Sequence, residues 1–231
     1  MTTIAHIPEP ENRPRKRRLI VGISGATGIV YGIRLLEALR EAGIESHLVV
    51  SKAAELTRSY ETNLSSQNLR DLAAVSYPIG DVGAAIASGS FRTMGMIVAP
   101  CSVKTMSELA NGITTNLLTR AGDVVLKERR RLVLLLRESP LTAIHIRNML
   151  ALTESGAIIA PPVPAFYARP RTLDDMVRHT IGRALDLFDI DSDFQRWGEE
   201  SDGAPSAAGF CTQEDQRKGN HETHQEPARV Y

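Results

Sequence analysis

The sequence predicts an α/β fold built on a doubly wound, mostly parallel sheet. Short apolar runs recur through the middle of the chain, and the segments between them space their apolar residues helically. Glycine or small polar residues close the longer runs, where a strand would turn into a helix. Residues 19–23 are the first apolar run and end in glycine-rich sequence, as a buried strand would. Residues 29–42 follow, with Ile29, Ile33, Leu36 and Leu39 at helical spacing and Gly43 just past the end. A second strand is read over 47–50, leading into a helix over 52–60. The third strand spans 94–99, with helices over 102–111 and 116–128 after it. The fourth covers 132–136, followed by a helix over 142–154, a short strand over 157–159 and a last helix over 172–187. No internal repeat interrupts this alternation.

The ends differ from the middle. Residues 1–16 carry Pro8, Pro10 and Pro14 among charges and show neither periodicity, which predicts a disordered lead-in. Its cluster Arg15, Lys16, Arg17, Arg18 is read as solvated. Residues 199–231 are polar and broken by glycine and proline, with too little to bury to offset their ordering entropy; a disordered tail is predicted. That leaves 17–198 as one domain, within the reach of a single core for a chain of 231 residues.

Lys plus Arg (27) equals Asp plus Glu (27), so net charge calls for neither nucleic acid nor an anionic membrane. Two cysteines are too few for a disulfide framework, no apolar run approaches a bilayer span, and no apolar signal region precedes the basic cluster. A cytoplasmic protein is expected.

Ligands of open parallel sheets bind beyond the carboxyl ends of the strands, and that rule selects four stretches. The first, Gly22 to Gly28, spaces its glycines G-x-x-G-x-x-G, which could bring backbone N–H groups against an anion at the helix start. Ser51, not an acidic residue, ends the second strand, so a mononucleotide fits better than a dinucleotide. The second stretch runs from Pro100 to Thr105: Ser102 could simply cap a helix, but with Lys104 and Thr105 the turn could also hold a phosphate. Cys101 is read there as a packing residue. In the third, Arg137 and Glu138 follow a buried strand, a placement that favours function over a solvated pair. The fourth is the proline-stiffened segment Pro161 to Tyr167, either a rigid connection or a rim presenting Tyr167 to a ligand.

Seven pieces in order, GISGATGIVYGIRLLEAL, SKAAELTRSYET, ASGSFRTMGMIVAPCSVKT, LLTRAGDVVLKERR, LVLLLRESPL, GAIIAPPVPAFYARP and FQRWGEE, resemble the UbiX-type flavin prenyltransferases, with which bacterial Pad-type proteins are grouped. The resemblance implies a flavodoxin-like Rossmann domain over 17–198, assembled as a dodecamer with FMN where subunits meet. It implies transfer of a dimethylallyl group from dimethylallyl phosphate to N5 and C6 of reduced FMN, the prenylated FMN then serving a UbiD-type decarboxylase. Gly25, Ala26, Thr27, Ser51, Ser102, Val103, Lys104, Thr105 and Arg137 would bind FMN, with Ser88, Gly89 and Ser90 close to it. Lys127, Arg137, Glu138, Tyr167 and Arg183 would hold the dimethylallyl phosphate. Glu61 and Arg120 match further site positions that would reach a neighbour's pocket. Of these, Glu138, Lys127, Tyr167, Thr27 and Glu61 are the expected catalytic set.

The residue types suit that chemistry. Loss of phosphate from an allylic ester is eased by preorganised positive charge and hydrogen bonds, which Lys127, Arg137, Arg183 and Tyr167 would supply. An allylic cation would be steadied by the reduced flavin and by Trp197. Glu138 is the candidate for moving a proton, aided by the released phosphate. No metal is expected, since His145, His179, His221 and His224 are dispersed. Three departures from the family pattern stand out: Thr27 where many relatives carry Ser, Arg131 where the family often has Pro, and Gly122 for a usual Ala. An FMN-dependent decarboxylase of the related cysteine-decarboxylase type and a non-catalytic flavin carrier are the alternatives.

Overall fold

The computed structural model describes residues 16–196 and 198. The lead-in and the tail predicted from composition, and Trp197, lie outside the described residues apart from Lys16. Residues 16–194 form one compact unit.

Six strands form one sheet in the order β3-β2-β1-β4-β5-β6, every neighbouring pair parallel. They are β1 (Arg18–Ile23), β2 (Glu45–Val50), β3 (Val75–Tyr77), β4 (Gly95–Cys101), β5 (Arg131–Leu136) and β6 (Ala157–Ile159). The helices are α1 (Ile29–Glu41), α2 (Lys52–Glu61), α3 (Ser66–Asp71), α4 (Val103–Ala110), α5 (Leu117–Lys127), α6 (Ala143–Glu154) and α7 (Leu173–Asp186). Parallel strands need crossovers, and helices make most of them here. Leaving aside the short edge strand β3, the other five run in the flavodoxin-like order.

Alternation along the strands explains the two layers of helix. Leu19, Val21 and Ile23 of β1 face a core completed by α1 and α7, including Leu35, Leu36, Ile181 and Leu185. Ile20 of β1, Met96 and Val98 of β4 face the opposite core, made with α4, α5 and α6 through Met106, Leu118 and Leu152. Because successive side chains point to opposite faces, a strand buried on both sides reads as an unbroken apolar run. That is the pattern of β4, buried throughout, and of five of the six residues of β1 and of β5.

One strand and one helix stand where no element was read. Residues 61–93 contain α3 and β3, and β3 is three half-buried residues at the sheet edge. The chain leaves β1 toward β2 on one side and returns to β4 on the other, so the strand order reverses between β1 and β4. A crevice opens at the carboxyl ends of strands where such a reversal occurs. There the ladder from β4 to β5 shifts register between Val98 and Cys101, around Pro100, which has no N–H to give it.

Candidate active site

Ser24, one residue past β1, ties the crevice together. It is buried; its hydroxyl donates to the Pro100 carbonyl at 3.1 Å and accepts from the Ser102 N–H at 2.7 Å. The ends of β1 and β4 are thereby fixed to each other, and with them the start of α4. Ser102 caps α4, its hydroxyl accepting from the Thr105 N–H at 3.3 Å and donating to Thr105 Oγ1 at 3.2 Å. Among the described residues the N–H groups of Val103 and Lys104 have no acceptor, so two donors point out of the helix start. Ser51 does the same for α2, accepting from Ala54 N–H at 3.1 Å while its own N–H bonds to Ile23 O at 2.9 Å. Lys104 is held away by an ion pair with Glu108 at 2.6 Å. Burial pushes the Cys101 thiol far up, which suits a packing residue.

The glycine loop has a different logic from the one its spacing suggested. A Cβ on Gly25 would lie 2.3 Å from Ala53 Cβ, so this glycine admits α2 and is not simply a ligand cradle. Gly28 takes φ 98, a left-handed conformation, and offers α1 no side-chain cap. Two of the N–H groups expected to be free at the start of α1, those of Gly28 and Ile29, are already engaged. The Glu61 carboxylate, at the end of α2, accepts from Gly28 N–H at 2.9 Å, from Ile29 N–H at 3.0 Å and from the Thr27 hydroxyl. Glu61 thus meets its own chain's first loop, where the resemblance implied a neighbour's pocket. A carboxylate at a helix N-terminus is favourable, and Glu61 supplies one to α1 from its own chain. Ala26 is buried beneath the loop, and Thr27 is exposed.

Arg137 follows β5 at the same end of the sheet, its N–H bonded to Cys101 O at 3.0 Å. Among the described residues its guanidinium has no ion-pair or hydrogen-bond partner. It lies close enough to Tyr31 to draw that phenol's pKa down, although burial, the larger influence, raises it. Tyr31 escaped the sequence reading because it lies on a helix face with no polar neighbour in sequence to mark it. Glu138 is half-buried and accepts from Ser139 N–H at 3.0 Å. The crevice is therefore electropositive where α4 begins, and its donor set fits the phosphate of a mononucleotide.

A further group lies apart from this one. Ser88, Gly89 and Ser90 precede β4, and Lys127 precedes β5, so all four belong to the amino end of the sheet. Lys127 pairs with Glu128, and a Cβ on Gly89 would stand 2.2 Å from Glu128 Oε1 and 2.9 Å from Lys127 Nζ. Arg130, absent from the expected set, donates to Gly89 O at 2.6 Å and Phe91 O at 2.8 Å, clasping the loop. The Ser88 and Ser90 hydroxyls share a hydrogen bond at 2.9 Å. β5 places about 17 Å of extended strand between this end and Arg137. One subunit cannot turn Lys127 and Arg137 onto the same phosphate. Arg120, on α5, is paired with Asp123 at 2.9 Å.

Tyr167 and Arg183 line a cavity of about 320 Å³ with His179, Leu135, Ala160 and Leu187 among its walls. The Tyr167 hydroxyl lies 3.0 Å from His179 Nε2. Among the described residues no cluster of His, Cys, Asp and Glu could hold a metal ion.

The model of the flavoprotein family matches residues 7–185. A relative from Thauera aromatica, named flavin prenyltransferase UbiX, is 56% identical over 181 residues, 78% of this chain and 93% of its own. The crystal structure of AnUbiX (PadA1) in complex with FMN and dimethylallyl pyrophosphate superposes with a TM-score of 0.79 at 50% identity, covering 81% of this chain and 100% of that one. A dodecameric FMN-dependent UbiX-like decarboxylase from Escherichia coli O157:H7 gives 0.77 at 49% identity, covering 79% and 100%.

Proposed function

The chain belongs to the flavoprotein family and is a flavin prenyltransferase of the UbiX type, and we propose that its working site is shared between subunits of a homo-oligomer. The observation that carries this reading is that the groups expected to bind phosphate are divided between opposite ends of one sheet. Arg137 and the start of α4 stand at the carboxyl end, and Lys127 with the 88–90 loop at the amino end. The dodecamer of the E. coli relative supplies a precedent for the assembly. Exposed Ile144, Ile146 and Leu150 on α6 offer apolar surface for such contacts.

In this reading Ser51, Ser102, Thr105, Arg137 and the N–H groups of Val103 and Lys104 hold FMN, with Gly25, Ala26 and Thr27 shaping the wall beside it. Reduced FMN is a substrate and supplies nucleophilic N5 and C6 positions. Lys127, Arg137 and Arg183 offset the charge on the phosphate of the dimethylallyl donor, and the Tyr167 hydroxyl donates to it, as its carbon–oxygen bond breaks. Guanidinium groups suit this better than further lysines, because they bind phosphate bidentately. Glu138 moves a proton between the flavin and the departing phosphate. Thr27 keeps the hydroxyl of the relatives' serine and gives it to Glu61, so its added methyl, not a lost hydrogen bond, is what distinguishes this loop. The product is handed to a UbiD-type decarboxylase, and a reducing cytoplasm suits the free, buried Cys101. No helix among the described residues is long and apolar enough to cross a membrane.

The test is anaerobic incubation of the purified protein with reduced FMN and dimethylallyl monophosphate, followed by mass spectrometry of the extracted flavin. A flavin heavier by one C5H8 unit is expected. FMN recovered unchanged from protein that binds it, with the pyrophosphate tried as well, would move the function to a flavin carrier or to a decarboxylase of the related type.

A further inference from the structure

We infer that His179 is a positioning residue for Tyr167, donating from Nε2 to the phenolic oxygen so that the phenolic proton is left for the substrate phosphate. The inference rests on the reading of Tyr167 and Arg183 as part of the dimethylallyl phosphate site.

His179 and Arg183 stand four residues apart on α7, hence on one face, and both line the same cavity as Tyr167. The imidazole is placed by aromatic contacts on two sides. It meets the Tyr167 ring edge to face at 5.5 Å and 82°, and the Phe194 ring at 5.2 Å and 84°. Two edge contacts and a turn of helix leave Nε2 aimed at the Tyr167 oxygen, 3.0 Å away.

Direction follows from counting donors. A phenol has one proton, and a phosphate dianion has only acceptors. If Nε2 accepted from Tyr167, the phenolic proton would be spent on the histidine, and the oxygen would face the phosphate with lone pairs alone. If Nε2–H donates, the proton stays available to the phosphate, and the donated hydrogen bond polarises the O–H further. An anionic ligand therefore selects the tautomer with hydrogen on Nε2, or the imidazolium, which donates in the same direction. His179 transfers no proton to substrate; it acts through Tyr167.

The experiment is a double-mutant cycle on the full chain, with His179→Leu, His179→Gln, Tyr167→Phe and the His179→Leu/Tyr167→Phe pair. At saturating reduced FMN, His179→Leu is expected to raise KM for dimethylallyl monophosphate about fivefold to tenfold, the worth of one hydrogen bond, with FMN affinity unchanged. His179→Gln, whose amide can also donate, recovers most of the loss. The pair is no worse than Tyr167→Phe alone. Equal losses from His179→Leu with and without the Tyr167 hydroxyl, or an unchanged KM, would overturn the inference. Calorimetric binding of dimethylallyl monophosphate reads the same cycle without turnover. A wild type that binds the phosphate yet leaves the flavin unchanged would therefore count against the transferase reading, while the cycle still decides on His179.

Discussion

Glu45 and His47 share a hydrogen bond at the start of β2, and its charge state sets how the fold answers acid. The Glu45 carboxylate is bonded by Lys16 at 2.9 Å, Arg18 at 3.0 Å and His47 Nε2 at 3.0 Å. The Lys16 hydrogen bond foremost holds its pKa down to about 2, against the opposing effect of burial. His47 is buried and its other nitrogen meets the Tyr77 hydroxyl at 2.9 Å. Burial pushes its pKa below the usual 6.5, outweighing the pull of Glu45 the other way. Both groups are therefore depressed by folding. As pH falls through about 6.5 the unfolded chain takes up the histidine proton first, so the stability His47 contributes at neutral pH is lost on acidification. Glu45 contributes above the usual 4.5 and loses its share toward about 2, a separate and lower window. The urea midpoint is expected to fall between about pH 7 and pH 5. His47→Gln should flatten that upper slope and leave the lower one. An unaltered upper slope in the variant would place its origin elsewhere.

Elements carry consequences that single residues do not show. The turn after α5 and the loop before β4 form a unit, since Arg130 binds two carbonyls of the loop with a side chain only 17% exposed. Arg130→Met is expected to cost about 2 kcal/mol through those two charge-assisted bonds, read as a lower urea midpoint. It should also raise KM for dimethylallyl phosphate by loosening the Lys127 end of the site. Arg130→Lys cannot span both carbonyls and should recover little. An Arg130→Met protein of full stability and unchanged KM would break the link between clasp and site. None of this was legible in the sequence, where Arg130 is one of three consecutive arginines and Gly89 one more loop glycine. What was legible follows from burial: the five strands with apolar runs announced themselves, whereas Val75–Tyr77 at the sheet edge had too little apolar pattern to do so. The glycine loop was legible as a position and not as a mechanism. Spacing cannot tell a glycine that admits Ala53 from one that admits a ligand, and Glu61 closes the start of α1 from 33 residues away.

At the scale of the molecule, the direction of the strands argues for shared sites. A parallel sheet has one carboxyl end, and side chains at its two ends diverge by the length of the strands between them. The family resemblance implies Lys127 and Arg137 as phosphate ligands, but sequence carries no register between copies. Only the fold reveals that they stand at opposite ends of β5. A site needing both must draw them from different subunits, as a closed homo-oligomer can arrange. Lys127→Ala and Arg137→Ala proteins should each be inactive alone. Dissociated, mixed in equal amounts and reassembled, they should regain about a quarter of the wild-type rate of prenylated flavin formation, since a site works when each donor subunit carries the intact residue and random assembly meets both conditions at about one in two. If both groups acted within a single chain, every chain in the mixture would carry a defect and no activity would return. Recovery that depends on reassembly, absent when the two proteins are mixed as intact oligomers, would tie the chemistry to the contact between subunits.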